Sequence, residues 1–182
     1  MTRSANPNQY LQHAELIHSE QSVHQAILTI ADQLNQHYIE EPPIVLCVMG
    51  GAVFFTGQLL SKLQFALEFD FLQVSRYHDT TQGKVLKWTV TPKESIKNRN
   101  ILILDDILDE GVTLKAIVDQ CKLLGAKEIR SAVMVEKQLN KSKPIKADYV
   151  GLIVPNQYVF GCGMDVYGWW RNLPAIYALK NA

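Results

Sequence analysis

The chain has 182 residues, 47% of them hydrophobic and 20% charged, enough to bury a sizeable core without disulfides. Lys and Arg number 18 and Asp and Glu number 18, so the formal net charge is zero. That balance excludes a general nucleic-acid coat or a polybasic membrane binder, both of which need surplus positive charge.

The longest apolar runs fall far short of the roughly 20 residues that cross a bilayer. The polar stretch 1–12 lacks the apolar centre of a secretion signal. No nucleic-acid or membrane partner is expected, and the cytoplasm is the expected compartment. Cys47, Cys121 and Cys162 are too few and too scattered for a disulfide framework or a metal-binding pair, so they read as buried or incidental thiols.

Val23, Ala26, Ile27, Ile30, Ala31 and Leu34 follow the three-and-four spacing of an amphipathic helix, with Ser22 and Gln25 placed to cap its start. Residues 40–43 break that helix. Ile44–Met49 is a continuous apolar run stopped by Gly50 and Gly51, the pattern of a strand buried on both faces in a parallel sheet. The same grammar then repeats: a helix over 52–63, a strand over 67–74, a polar, turn-rich mobile loop over 76–84, and a strand over 85–91 ended by Pro92. A strand over 101–104 leads into an acidic turn. Leu114, Ile117, Val118, Cys121 and Leu124 then mark a helix that stops at Gly125. Strands over 129–135 and Tyr149–Val154 complete the series.

Strands alternating with helices imply a parallel α/β sheet. The N-terminal stretch and the segment after Pro155 fall outside the alternation and are expected to form a small subdomain over the strand ends. Open α/β sheets bind ligands at the carboxyl ends of their strands. Attention therefore falls on the turns after Met49, Val74, Leu104, Val135 and Val154.

The most informative of these is Asp105-Asp106-Ile107-Leu108-Asp109-Glu110-Gly111-Val112-Thr113, with four carboxylates in six residues. It reads either as a solvated acidic loop with helix caps or as a sugar-phosphate site. In the second reading Gly111 lets backbone amides converge at a helix N-terminus, which binds phosphate readily. The carboxylates beside it grip sugar hydroxyls and a divalent cation.

This stretch resembles the phosphoribosyl-pyrophosphate (PRPP) signature of the type I phosphoribosyltransferases. Val48-Met49-Gly50-Gly51-Ala52-Val53-Phe54-Phe55 is similar to the pyrophosphate loop and following helix of the hypoxanthine-guanine members. Val135-Glu136-Lys137 sits where that family carries its purine-reading lysine. Asp148-Tyr149-Val150-Gly151, the run 154–161, Gly163-Met164-Asp165 and Arg171-Asn172-Leu173-Pro174 follow its C-terminal pattern in order. The resemblance covers 44–176. It implies a single domain over 1–182 with the type I phosphoribosyltransferase fold, a parallel twisted sheet flanked by helices. The core would span about 37–154 and the hood about 1–36 and 155–182. It also implies transfer from PRPP to a 6-oxopurine, hypoxanthine or guanine, giving IMP or GMP and pyrophosphate, with Mg2+ as cofactor in a homodimer or homotetramer.

Roles follow by the same resemblance. Asp105 and Asp106 hold the ribose hydroxyls, directly or through the metal, and Asp109 is the general base or proton relay at purine N7. The amides of Glu110, Gly111, Val112 and Thr113, with the Thr113 hydroxyl, cradle the 5′-phosphate. Met49, Gly50, Arg76 and Arg171 meet the pyrophosphate. Lys137 donates to the purine O6, Tyr158 stacks on the ring, and the Val159 backbone reads the base edge. The Asp165 carbonyl and carboxylate reach the guanine amino group and a second metal. Three positions depart from the family pattern. Glu110 replaces Thr or Ser and must point away from the phosphate. Met49 replaces the Lys of animal enzymes, leaving a backbone contact, with the family's cis peptide expected at Met49–Gly50. Arg76 precedes Tyr77 where Ser is usual and brings a positive charge towards the pyrophosphate. A transferase for xanthine or a pyrimidine, and a PRPP-sensing regulator without catalysis, are the competing readings. The presence of Asp109, Lys137, Tyr158 and Asp165 speaks against the regulator. The five histidines show no metal-ligand spacing, and Trp169-Trp170 fits either hood packing or a subunit contact.

Overall fold

The structure, a computed structural model, describes residues 6–79 and 83–180, and over 76–85 its backbone alone. In chain order the elements are α1 (Asn8–Gln12), β1 (Ala14–His18), α2 (Glu20–His37), β2 (Ile44–Met49), α3 (Val53–Leu60), β3 (Glu68–Asp79), β4 (Gly83–Val90), β5 (Asn100–Leu108), α4 (Val112–Leu123), β6 (Glu128–Lys137), β7 (Tyr149–Val154), β8 (Val159–Phe160) and β9 (Ile176–Leu179). A six-stranded sheet has the order β4-β3-β2-β5-β6-β7, and a three-stranded sheet the order β1-β9-β8. In the large sheet every neighbouring pair is parallel except β3 with β4. The small sheet is antiparallel.

The continuous apolar runs explain the large sheet. Leu102 and Leu104 of β5 pack with Val45 and the buried faces of α2 and α3. Ile101 and Ile103 point the other way, into a cluster with Ile117 and Cys121 of α4. Burying both faces suits a central parallel strand, and each such side chain contributes about 1.5–3 kcal/mol. The three cysteines are buried. Burial pushes Cys121 up to about 11 and Cys162 up to about 12, so neither is a ready thiolate. Among the described residues no helix is long and apolar enough to cross a membrane.

Four expectations need correction. The strand at 101–104 runs on through the first two acids, with Asp105 opposite Val133 and Leu108 opposite Glu136. Leu108 is buried and anchors that extension, so the true turn is only 109–111. The loop expected at 76–84 is largely a hairpin: β3 and β4 pair as far as Asp79 opposite Gly83, and 80–82 lie outside the described residues. A two-stranded ribbon needs only its backbone ladder, so a polar sequence can form one. The helix α2, placed above with the hood, packs on β6, β7 and α3 of the large sheet. Its cap is Ser19, whose Oγ accepts the Ser22 N–H at 3.2 Å, and Ser22 itself lies inside the helix.

The small sheet joins β1 to the chain after Pro155. Tyr10, Phe160, Val166 and Leu179 form its own buried cluster. The Trp170 indole N–H donates to the Pro7 carbonyl at 2.7 Å, tying the two terminal segments together.

Candidate active site

The order of the large sheet reverses direction at β2, which has β3 on one side and β5 on the other. Crevices at such a switch point, beyond the carboxyl ends of the strands, are where open α/β sheets bind ligands. A cavity of about 530 Å³ lies there, walled by Met49 at the end of β2 with Gly50 and Gly51 after it, Gln73 and Ser75 of β3, Asp105, Asp106 and Asp109, and the start of α4. A recess of about 260 Å³ shares Asp106, Asp109 and Asp165 with it and adds Lys137, Tyr158, Val159 and Met164.

The acids are seated by backbone geometry. Asp105 is buried, and its Oδ1 accepts the Asp106 N–H at 2.9 Å. The Asp106 carboxylate occupies the space where a side chain on Gly51 would lie, so any larger residue at 51 would push that carboxylate aside. Burial pushes the Asp106 carboxyl above the usual carboxylate range, against the opposing pull of its hydrogen bond with Asp105 and of the Arg171 charge. The Met49–Gly50 peptide is cis. After β5 the chain turns at Gly111, whose φ of +80° is the left-handed conformation that favours glycine. Gly111 and Thr113 then bring the N-terminus of α4 to the cavity wall.

The hood closes the other side. Gly163 lies so close to the Gly51 carbonyl that a Cβ would clash with it. Arg171 donates to the Gly163 carbonyl at 2.6 Å and pairs with Asp165 Oδ1, while Asp165 Oδ2 accepts the Gly168 N–H at 2.7 Å. In the recess, the Lys137 ammonium pairs with Asp109 Oδ2 at 3.0 Å. Tyr158 stacks on Tyr167, with ring centroids 5.9 Å apart and planes 11° from parallel, and stays partly exposed over the recess.

The structure therefore gathers Met49, Gly50, Asp105, Asp106, Asp109, Gly111, Thr113, Asp165 and Arg171 around one cavity, and Lys137, Tyr158 and Val159 around its neighbour. Glu110 and Val112 stand outside both walls. Glu110 is paired with Lys141 at 2.8 Å, and Val112 is exposed. The Arg76 side chain lies outside the described ones. Sequence reasoning missed Gln73 and Ser75 of β3, although a turn expected after Val74 points to that wall, and it named Gly51 only as part of a motif. It also missed Lys143, which no local pattern distinguished.

Four acids line these walls against Lys137 and Arg171. Among the described residues no three His, Cys, Asp or Glu side chains converge to cage a metal. Adjacent Asp105 and Asp106 carboxylates fit Mg2+ instead, which takes one or two protein carboxylates and completes its shell with water and substrate phosphate oxygens.

The Phosphoribosyl transferase domain family matches residues 13–167. The hypoxanthine-guanine phosphoribosyltransferase of Bacillus subtilis is 34% identical over 168 residues, 90% of this chain and 92% of that protein. The bifunctional protein TilS/HprT of Listeria innocua is 36% identical over 163 residues, 89% of this chain, and the chain spans only 25% of that protein's length. A crystal structure of a hypoxanthine phosphoribosyltransferase from Staphylococcus aureus superimposes with a TM-score of 0.82 at 26% identity, covering 97% of both chains. With its switch-point cavity and its acidic strand end, this chain belongs to the phosphoribosyl transferase family, in its hypoxanthine-guanine branch.

Proposed function

We propose that the chain is a purine salvage transferase that moves the phosphoribosyl group of PRPP onto hypoxanthine or guanine, releasing pyrophosphate and IMP or GMP. The observation that carries this reading is the Lys137–Asp109 pair at 3.0 Å in the recess beside the acidic cavity. O6 and N7 are neighbouring atoms on one edge of a 6-oxopurine. A donor beside an acceptor at hydrogen-bond spacing matches that edge. Lys137 gives its protons to O6, and Asp109 receives or holds the proton at N7, worth about 10²–10⁴-fold in rate.

Asp105 and Asp106 hold the ribose hydroxyls next door. The amides after Gly111, with the Thr113 hydroxyl, take the 5′-phosphate at the N-terminus of α4. Glu110 contributes only its amide, because its carboxylate is turned to Lys141. Arg171 keeps N–H donors beyond those given to Gly163 and Asp165, and these face the pyrophosphate together with the Met49 and Gly50 backbone. Asp105 and Asp106 would hold one Mg2+ and Asp165 a second, which when bound would neutralise charge on the departing pyrophosphate. Tyr158 covers the purine face. The same family reading makes the protein a cytoplasmic homodimer or homotetramer working on small molecules. Phe69 and Phe71, two apart on β3 and both well exposed, suit a self-association surface.

Base choice tests the proposal. Lysine offers donors only, so Lys137 satisfies O6 of hypoxanthine or guanine and has no acceptor to meet in the amino group of adenine. Such a mismatch costs about 10⁴-fold. Backbone carbonyls at Val159 and Asp165 accept the guanine amino group and tolerate hydrogen in hypoxanthine, whereas xanthine sets oxygen against oxygen there. Nucleotide formation from hypoxanthine, guanine, xanthine, adenine and uracil with PRPP and Mg2+ is expected to favour the first two. Lys137→Met is expected to damage their use far more than PRPP binding. Efficient turnover of adenine would sink the Lys137 assignment, and xanthine matching guanine would sink the reading of the Val159–Asp165 edge.

A further inference from the structure

The ladder between β5 and β6 ends one residue too early for the chemistry. Its last rung is Leu108 opposite Glu136. Asp109, just past the end of β5, and Lys137, the last residue of β6, have no backbone rung between them. Their side chains must nevertheless stay in register to meet two neighbouring atoms of one purine.

The gap is bridged by a third residue. The Lys143 ammonium donates to the Lys137 carbonyl at 2.7 Å, to the Leu108 carbonyl at 2.9 Å and to Glu136 Oε1 at 3.0 Å. The first acceptor is the backbone of the purine-reading lysine itself. The second belongs to the peptide bond that leads into Asp109. The Lys143 side chain is only 9% exposed, and it lines neither the cavity nor the recess. An ammonium has three N–H donors and no acceptor, and here each donor has a partner. The segment carrying it also lies against the phosphate loop, since a Cβ on Gly111 would touch Pro144, Ile145 and Lys143.

We propose that Lys143 is a positioning residue for the transfer reaction, an ammonium rung that extends the β5–β6 ladder and sets the spacing of Asp109 and Lys137. It acts through those two residues and does not touch substrate. Removing the ammonium leaves two carbonyls and a carboxylate without their buried donor, and the end of β5 at Asp109 is then free to move away from Lys137, which β7 still holds.

This inference rests on the purine reading above, and the experiment keeps the two apart. Wild-type protein, Lys143→Met and Lys143→Arg are compared in steady-state turnover of hypoxanthine and adenine at saturating PRPP and Mg2+. PRPP binding is followed by calorimetry and folding by thermal melting. Because a displacement of about 1 Å costs up to about 10²-fold, Lys143→Met is expected to lose about that much kcat/KM for hypoxanthine. Its PRPP affinity stays close to wild type, and its hypoxanthine-to-adenine preference narrows. A general loosening of the fold would weaken PRPP and purine alike and leave the preference where it was. That pattern, or unchanged hypoxanthine kinetics in a folded Lys143→Met, overturns the positioning role. If Lys143→Met does not fold, Lys143→Arg, which keeps cationic donors and reach, carries the same test: a smaller loss confined to the purine supports the role, and equal losses for both substrates overturn it. An inactive wild type overturns the purine reading and this inference with it. An active wild type with an indifferent position 143 overturns this inference alone.

Discussion

The two ends of the large sheet differ in how completely they cancel charge. At the amino ends of β5, β6 and β7, charged groups satisfy one another. Arg130 pairs with Glu128 at 2.9 Å and Asp148 at 3.0 Å, and Lys127 pairs with Glu41, which also accepts from Asn100 at 2.9 Å. Glu128 is held below the usual carboxylate range: burial pushes it up, but the hydrogen bonds from Arg130 and His37 outweigh that push. At the carboxyl ends Lys137 and Arg171 pair with Asp109 and Asp165, but Asp105 and Asp106 crowd one another, and burial drives Asp106 the other way. Charge cancelled within the protein serves the fold. Charge crowded beside a cavity is compensated by what binds there, and its perturbation marks the site.

The most severe way to break that division is at Asp109. If it handles the N7 proton while Asp105 and Asp106 hold the sugar, Asp109→Asn lowers kcat by about 10²–10⁴-fold, with PRPP affinity little changed. Equal losses in PRPP binding and turnover would move Asp109 into the sugar or metal group and leave no dedicated base. A milder break leaves every acid in place. Gly51→Ala sets a methyl group where the Asp106 carboxylate sits. Displacing one charged hydrogen-bonding group costs about 1.5–3 kcal/mol, so PRPP binding by calorimetry is expected to weaken by about ten- to a hundredfold. Wild-type affinity in Gly51→Ala would mean that Asp106 does not need its observed position.

The large sheet was readable because runs such as Ile44–Met49 bury both faces, and apolar continuity is visible in sequence. The gathered site residues were readable because most lie at or just past the carboxyl end of a strand, and a strand end fixes where the next residues go. Less readable was anything decided by the partner. The stripe from Val23 to Leu34 declares a buried face of α2 and is silent on whether that face meets the hood or β7. Asp105 and Asp106 look like a turn because charge opposes burial, yet Ile107 and Leu108 carry the strand past them. Lys143 sits among Asn140, Lys141, Ser142 and Lys146, a solvated composition by any local measure. Its burial comes from carbonyls 6 and 35 residues away in the chain.

The smallest expected effect sharpens the comparison from the structural end. Arg130 holds Glu128 and Asp148 together far from the cavity, on side chains that are 40%, 32% and 30% exposed. Solvent screens such pairs to about 0.2–1 kcal/mol, so Arg130→Met is expected to lower the melting temperature by at most about 4 °C. Turnover is expected to be unchanged. The sign of its pH dependence follows from Glu128. A carboxyl whose folded value is depressed stabilises the fold at pH above its ordinary value of 4.5 and loses that contribution as pH falls through the lower folded value. The gap in melting temperature between wild type and Arg130→Met should therefore be open at neutral pH and close in acid below 4.5. It should also narrow at high salt, as exposed pairs are screened. A gap that survives both acid and salt would show that Arg130 acts by packing its aliphatic stem, and a large loss of turnover would erase the boundary between the two ends of the sheet.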